Sequence, residues 1–214
     1  MMRFLFGVCL GALIAGPATA QTTIDAFHEK DAEAAASEGV ADADLAKFED
    51  VLNGGDVDRA IRAMRFMIES EKPRLVRAAK TFGLRSVNPL FQEEAMKAIF
   101  QQGGPFRLEL DLTTADEEVS RMQYFTDWLG GTVSVDKASG YYTFALGGYD
   151  EKKKCWLNIA NNKCLLTQAL TTVDLAGVPY ASGNLELNGN GVLEGAFKYK
   201  SGGVSVPARI ELIN

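Results

Sequence analysis

The chain has 214 residues, with 28 acidic against 22 basic side chains, a formal net charge of −6, one histidine and three cysteines. The acidic balance excludes general nucleic-acid binding, which needs a cationic footprint. One histidine and few cysteines leave a zinc hydrolase, or a Ser-His-Asp or Cys-His site, without its usual parts.

The first twenty residues read as an export signal. Arg3 precedes an apolar run from Phe4 to Ala15, Gly16 and Pro17 break it, and Ala18-Thr19-Ala20 supplies the small-residue cleavage pattern. The run falls short of the roughly 20 residues needed to span a bilayer. Cys9 lies in mid-run behind Val8, which does not suit lipidation, and it leaves with the signal. No later stretch could span a membrane, so the expected product has no integral membrane segment. Its expected place is the Gram-negative periplasm or the medium, after cleavage between Ala20 and Gln21.

Residues 21–43 are rich in Ala, Asp and Glu and poor in large apolar side chains, which suits an acidic linker. The histidine, His28, falls here as a solvated residue. Residues 44–102 read as short helices. Leu45, Phe48, Val51 and Leu52 share one face, and Gly54 stops that helix. Asp56 caps the next, with Val57, Ile61, Met64 and Ile68 as its apolar stripe. Pro73 opens a third, with Leu75, Val76, Ala79 and Phe82 inward and Gly83 past its end. Asn88-Pro89 opens a fourth, which Gly103-Gly104 stops.

Within this region "RAIRAMRFM" (59–67) aligns with "RLVRAAKTF" (74–82) fifteen residues later. Apolar positions match, and so do basic ones: Arg59, Arg62 and Arg65 against Arg74, Arg77 and Lys80. The repeat resembles HEAT-like α-hairpins over residues 44–102. That resemblance implies a protein-contact scaffold and no catalytic residues. Residues 57–85 carry eight basic and three acidic side chains, while 21–56 carry two basic and ten acidic. The six basic residues form a candidate binding surface, but the simpler reading is solvated helix faces, bare or with the acidic 21–43 segment lying across them.

After Gly104-Pro105 the periodicity changes. "FRLELDL" alternates, with Phe106, Leu108, Leu110 and Leu112 on one side. Thr114 to Glu117 forms a capping box for a helix over about 115–129. Tyr124 and Trp128 lie four apart on it and join the candidate binding surface. "TVSVDKASGYYTFAL" reads as strand, turn, strand. From Gly183 onward three alternating strands are joined by Asn-Gly and Ser-Gly-Gly turns. Residues 165–177 fit no element. The expected class is α+β: a short-helix bundle at 44–102, then an antiparallel β domain at 103–214, either a small sandwich or an open barrel, with one inserted helix.

Cys155 and Cys164 are the cysteines outside the signal. In an oxidising compartment such a pair forms a disulfide. The asparagines between them favour a turn, and a hairpin would set the cysteines opposite one another.

Other chemistry is sparse. "ELNGNG" (186–191) approaches a calcium loop, but Phe197 stands where the bidentate glutamate belongs, and a hairpin turn explains the same residues. No phosphate loop is present, and no cofactor is expected. Glu109, Asp111 and Glu186 lie on outward strand faces, where paired carboxylates could serve a glycosidase, though no spacing selects a pair. Tyr141, Tyr142, Tyr149, Trp156 and Tyr199 lie on or near strands, where they can stack on sugars or fill the core. These features favour an exported, non-enzymatic binding or interaction protein with a protein or envelope-glycan partner. A cell-envelope glycan hydrolase and an inhibitor of a periplasmic enzyme are the alternatives.

Overall fold

The computed structural model describes residues 42–70, 72–113, 130–178, 181–199 and 205–213. The export signal, nearly all of the acidic segment, the helix expected at 115–129 with Tyr124 and Trp128, and the Ser-Gly-Gly turn lie outside the described residues.

Four helices come first among the described residues: α1 (Asp42–Leu52), α2 (Val57–Glu69), α3 (Pro73–Leu84) and α4 (Pro89–Gln101). Their starts follow local chemistry. The Asp56 carboxylate accepts from the Arg59 amide at 2.9 Å, and the Asn88 side chain accepts from the Leu90 amide at 3.0 Å. Pro73 and Pro89 occupy first-turn positions, where a missing N–H costs nothing. None of these helices is long and apolar enough to cross a membrane.

Ten strands follow among the described residues: β1 (Phe106–Asp111), β2 (Thr132–Val133), β3 (Ser139–Phe144), β4 (Leu146–Asp150), β5 (Cys155–Asn158), β6 (Cys164–Ala169), β7 (Thr172–Leu175), β8 (Ala181–Leu187), β9 (Val192–Tyr199) and β10 (Ser205–Glu211). They form one antiparallel sheet in the order β2-β3-β1-β10-β9-β8-β7-β6-β5-β4, curved as an open half-barrel. The α+β class therefore holds. The sheet is a single array, and no second sheet packs on it as a sandwich would require among the described residues.

Alternation builds the sheet's two faces. In β10 Val206, Ala208 and Ile210 are buried while Ser205, Pro207, Arg209 and Glu211 are exposed. The buried face joins the helices in one hydrophobic cluster, from Met64, Leu84 and Phe100 to Leu108, Leu185 and Phe197. Val40–Asn214 is accordingly one compact unit. Phe100 of α4 meets Phe106 and Trp156 edge-on, with ring centroids 5.5 and 6.0 Å apart. Two glutamine side chains reinforce the packing: Gln102 donates to the Ile68 carbonyl at 2.6 Å, and Gln168 to that of Glu93 at 2.9 Å.

The helices do not establish the HEAT-like arrangement. α2 packs against α1, α3 and α4, and α4 turns toward β4. The inward arc of α2 is also rotated from the expected stripe. It centres on Ala60, Met64, Met67 and Ile68, leaving Ile61 half-buried and Val57 38 % exposed. Val57 is the first residue of that helix. Gly83 is not a stop signal but part of α3. A Cβ there would lie 2.5 Å from both the Ala95 Cβ and the Met64 Sδ, so the glycine lets three helices approach closely.

Candidate functional site

The basic repeat divides. Arg59, Arg62, Arg65 and Arg77 are exposed, Arg74 is half-exposed, and Lys80 is buried. Arg65 pairs with Glu94 of α4. Lys80 departs from the outward row for a geometric reason. With 100° per residue, the buried residues Leu75, Ala79, Gly83 and Leu84 of α3 fall at about 0°, 40°, 80° and 180°, and Lys80 at about 140° lies inside that arc. The sequence repeat treats it as equivalent to Arg65, but α3 presents this side to the rest of the fold.

Lys80 is 9 % exposed, the one buried charged side chain among the described residues. It forms no hydrogen bond or ion pair with any of them. Burial lowers its pKa from the ordinary value of 10.5, because the ammonium form loses hydration that nothing replaces.

Lys80 lines a cleft of about 590 Å³ where the helices meet the end of the sheet. Core-facing Ile99, Phe106 and Leu212 share the wall with outward-facing Arg107, Glu109, Tyr141, Arg209 and Glu211. The cleft thus passes over the end of the sheet where β1 begins and β10 finishes. Gly103 and Gly104, at φ of +85° and +93°, swing the chain from α4 directly into β1 at this lip. The Gly104–Pro105 peptide is cis.

The three cations in this wall differ in commitment. Arg209 donates to Glu109 at 3.0 and 3.1 Å, and those hydrogen bonds hold its pKa above the ordinary value. The Arg107 guanidinium lies over the Tyr141 ring, 3.9 Å from its centroid, and makes no hydrogen bond or ion pair with the described residues. A planar guanidinium held on an aromatic face keeps its N–H fork available for a carboxylate or phosphate.

The paired-carboxylate expectation gains little from the geometry. Glu109 is committed to Arg209. The hydroxyl and amide of Thr113, at 2.6 and 2.9 Å, hold the Asp111 carboxyl below its usual range, the wrong direction for a general acid. Glu186 is exposed on β8, opposite Glu194. No group of three or more potential ligands is placed to hold a metal among the described residues. The 186–191 segment is a hairpin turn, in which the Asn188 side chain accepts from the amides of Asn190 and Val192 at 2.9 and 3.0 Å.

Cys155 and Cys164 are joined as a disulfide, with Cα atoms 5.6 Å apart. They are not directly opposed in the ladder: Cys164 faces Leu157, and the register shifts between Trp156 and Leu157. Trp156 packs on Phe100 and on Tyr149, whose ring centroid lies 4.9 Å away. Trp156 Nε1 and Gln168 Oε1 are buried without partners, and both residues border a second cavity of about 530 Å³. Both atoms are closed to solvent, so a ligand in that cavity would not reach them without rearrangement.

Arg107, Tyr141, Arg209 and Glu211 belong to the cleft without having been grouped by the sequence. Alternation marks each as outward-facing, but only the β3-β1-β10 strand order makes them neighbours. Comparison of this chain with family models, with curated proteins and with solved structures finds no match.

Proposed function

We propose that this chain is an extracytoplasmic, non-enzymatic binding protein that receives a small anionic ligand in the cleft at the end of the sheet. The observation that carries this reading is Arg107, fixed over Tyr141 with its N–H donors uncommitted, in the wall of a cleft that also holds Lys80. A guanidinium held against an aromatic face suits planar or tetrahedral oxyanions because less side-chain ordering remains to be done on binding. The volume suits a small metabolite. The export-like first twenty residues and the disulfide support the extracytoplasmic setting.

Calorimetric titration with acetate and with inorganic phosphate, at low and raised salt, tests the reading and separates the two oxyanion classes. Saturable binding to one site, weakened by salt and by roughly tenfold in Arg107→Met, is the expected result for loss of a charge-assisted hydrogen bond. Binding that is indifferent to Arg107→Met refutes the cleft as the site.

A further inference from the structure

Lys80 lacks the one thing a buried ammonium needs. Its stem lies inside the packed arc of α3, it is 9 % exposed, and no carboxylate or carbonyl of the described residues meets it. Loss of hydration on burial lowers the Lys80 pKa and moves its equilibrium toward the neutral amine. A neutral primary amine is a nucleophile. This one borders a cleft whose outer part offers the Arg107 fork for an anion. A ligand anchored there by a carboxylate or phosphate can extend over the lip of the sheet toward Lys80.

We infer that Lys80 captures its ligand covalently and reversibly, by condensing with an aldehyde or ketone group on a small anion held in this cleft. The inference rests on the cleft reading above and adds the class of ligand, an oxo acid or a phosphorylated oxo compound. The amine nitrogen attacks the carbonyl carbon, and the carbonyl oxygen takes up a proton to give a carbinolamine. Loss of water then leaves a C=N bond. The balance is amine plus carbonyl giving imine plus water, and no oxidant, reductant or metal is required. Among the described residues, exposed lysines lack the Arg107 anchor that would hold the same carbonyl compound in place.

The test treats the full chain with pyruvate, glyoxylate or glyceraldehyde 3-phosphate, each with cyanoborohydride, and maps the reduced adduct by peptide mass analysis. Lys80 is one of twelve lysines in the chain. The expected result is one adduct per chain, with most of the label on the Lys80 peptide. Loss of that label in Lys80→Arg, and its reduction by roughly tenfold in Arg107→Met, should follow. The probes separate a carboxylate anchor from a phosphate anchor. Even labelling across the lysines, or no adduct with any of the three, overturns the inference. The wild-type map alone decides this, so a poorly folded variant does not rescue it. Calorimetry with the same probes keeps the two ideas apart: Arg107-dependent binding without a Lys80 adduct leaves the cleft and removes the covalent step, and absence of both removes both.

Discussion

Arg209 gives two N–H groups, Nε and Nη2, to a single oxygen of Glu109, at 3.1 and 3.0 Å across the β1–β10 pair. Its opposite neighbour in β9 is Glu194. Arg209 is thereby neutralised in the cleft wall, while Arg107, two residues along β1 from Glu109, is not. Glu109→Gln should release Arg209 and tighten phosphate binding several-fold, on the order of 0.5–1 kcal/mol for a solvent-exposed charge. The gain should shrink as salt is added. Calorimetry in dilute and in saline buffer measures both, and an unchanged affinity would place the phosphate away from Arg209.

Lys80→Met should stabilise the protein at neutral pH by replacing a costly buried amine with an apolar side chain of similar length. A rise of about 2–4 °C in Tm corresponds to ~1 kcal/mol at this chain length. The effect depends on pH in a defined sense. Burial holds the folded-state pKa of Lys80 below the ordinary 10.5, so between that lowered pKa and 10.5 the native state binds fewer protons than the unfolded state. Wild-type stability from this group therefore rises with pH in that interval, and the advantage of Lys80→Met fades as pH nears 10.5. Thermal melts of both proteins across alkaline pH would show a gap that closes; a constant gap contradicts the assignment.

The disulfide closes a short loop, with a sequence separation of 9 between Cys155 and Cys164. Replacing both cysteines by alanine should cost about 2–3 kcal/mol, by the chain-entropy estimate for so small a ring. Urea unfolding of the variant and of the wild type, with and without reductant, provides the measurement. Reductant should bring the wild type to the variant's midpoint, and thiol titration of the oxidised, leader-free protein should find no free cysteine.

At Gly83 a valine must displace α2 or α4, because even its Cβ would sit 2.5 Å from Met64 and Ala95. Gly83→Val should cost on the order of 1–3 kcal/mol through overpacking. Gly189 is the control, since a Cβ added there would meet nothing within 4 Å. Gly189→Ala should shift stability by less than about 0.5 kcal/mol. Urea midpoints of the two variants provide the comparison. Equal losses at the two positions would show that close packing is not what makes Gly83 special.

Much of the fold was legible because local pattern and tertiary setting agree. β1, β8 and β10 alternate in sequence as they do in burial. Caps and prolines set the helix starts within a residue or two. β6 and β7 escaped because their connection carries no glycine or asparagine. Leu170 takes φ of +51°, a conformation its side chain does not advertise. β4 escaped because Gly147 and Gly148 erase the alternation, and its place is defined by pairing with β5. The cleft was legible only in fragments. A helical wheel shows that Lys80 lies apart from Arg77, but not that the rest of the fold closes over it. Gly83 had the residue type of a helix stop and the role of a spacer, which periodicity alone does not separate.

Among the described residues the sheet ends in two strands, β2 and β4, and both are poor templates for another chain. One margin is β2, only two residues long. The other is β4, where the register slips between Leu146 and Tyr149 and the strand runs into Asp150, Glu151 and three successive lysines, Lys152 to Lys154. Short length, irregular spacing and clustered charge each hinder the straight backbone ladder through which sheets add strands from a neighbour. The long, regular strands β8, β9 and β10, which would polymerise most readily if bared, are held in the interior of the array. The strand order thus works against growth of the sheet by strand addition from a neighbouring chain.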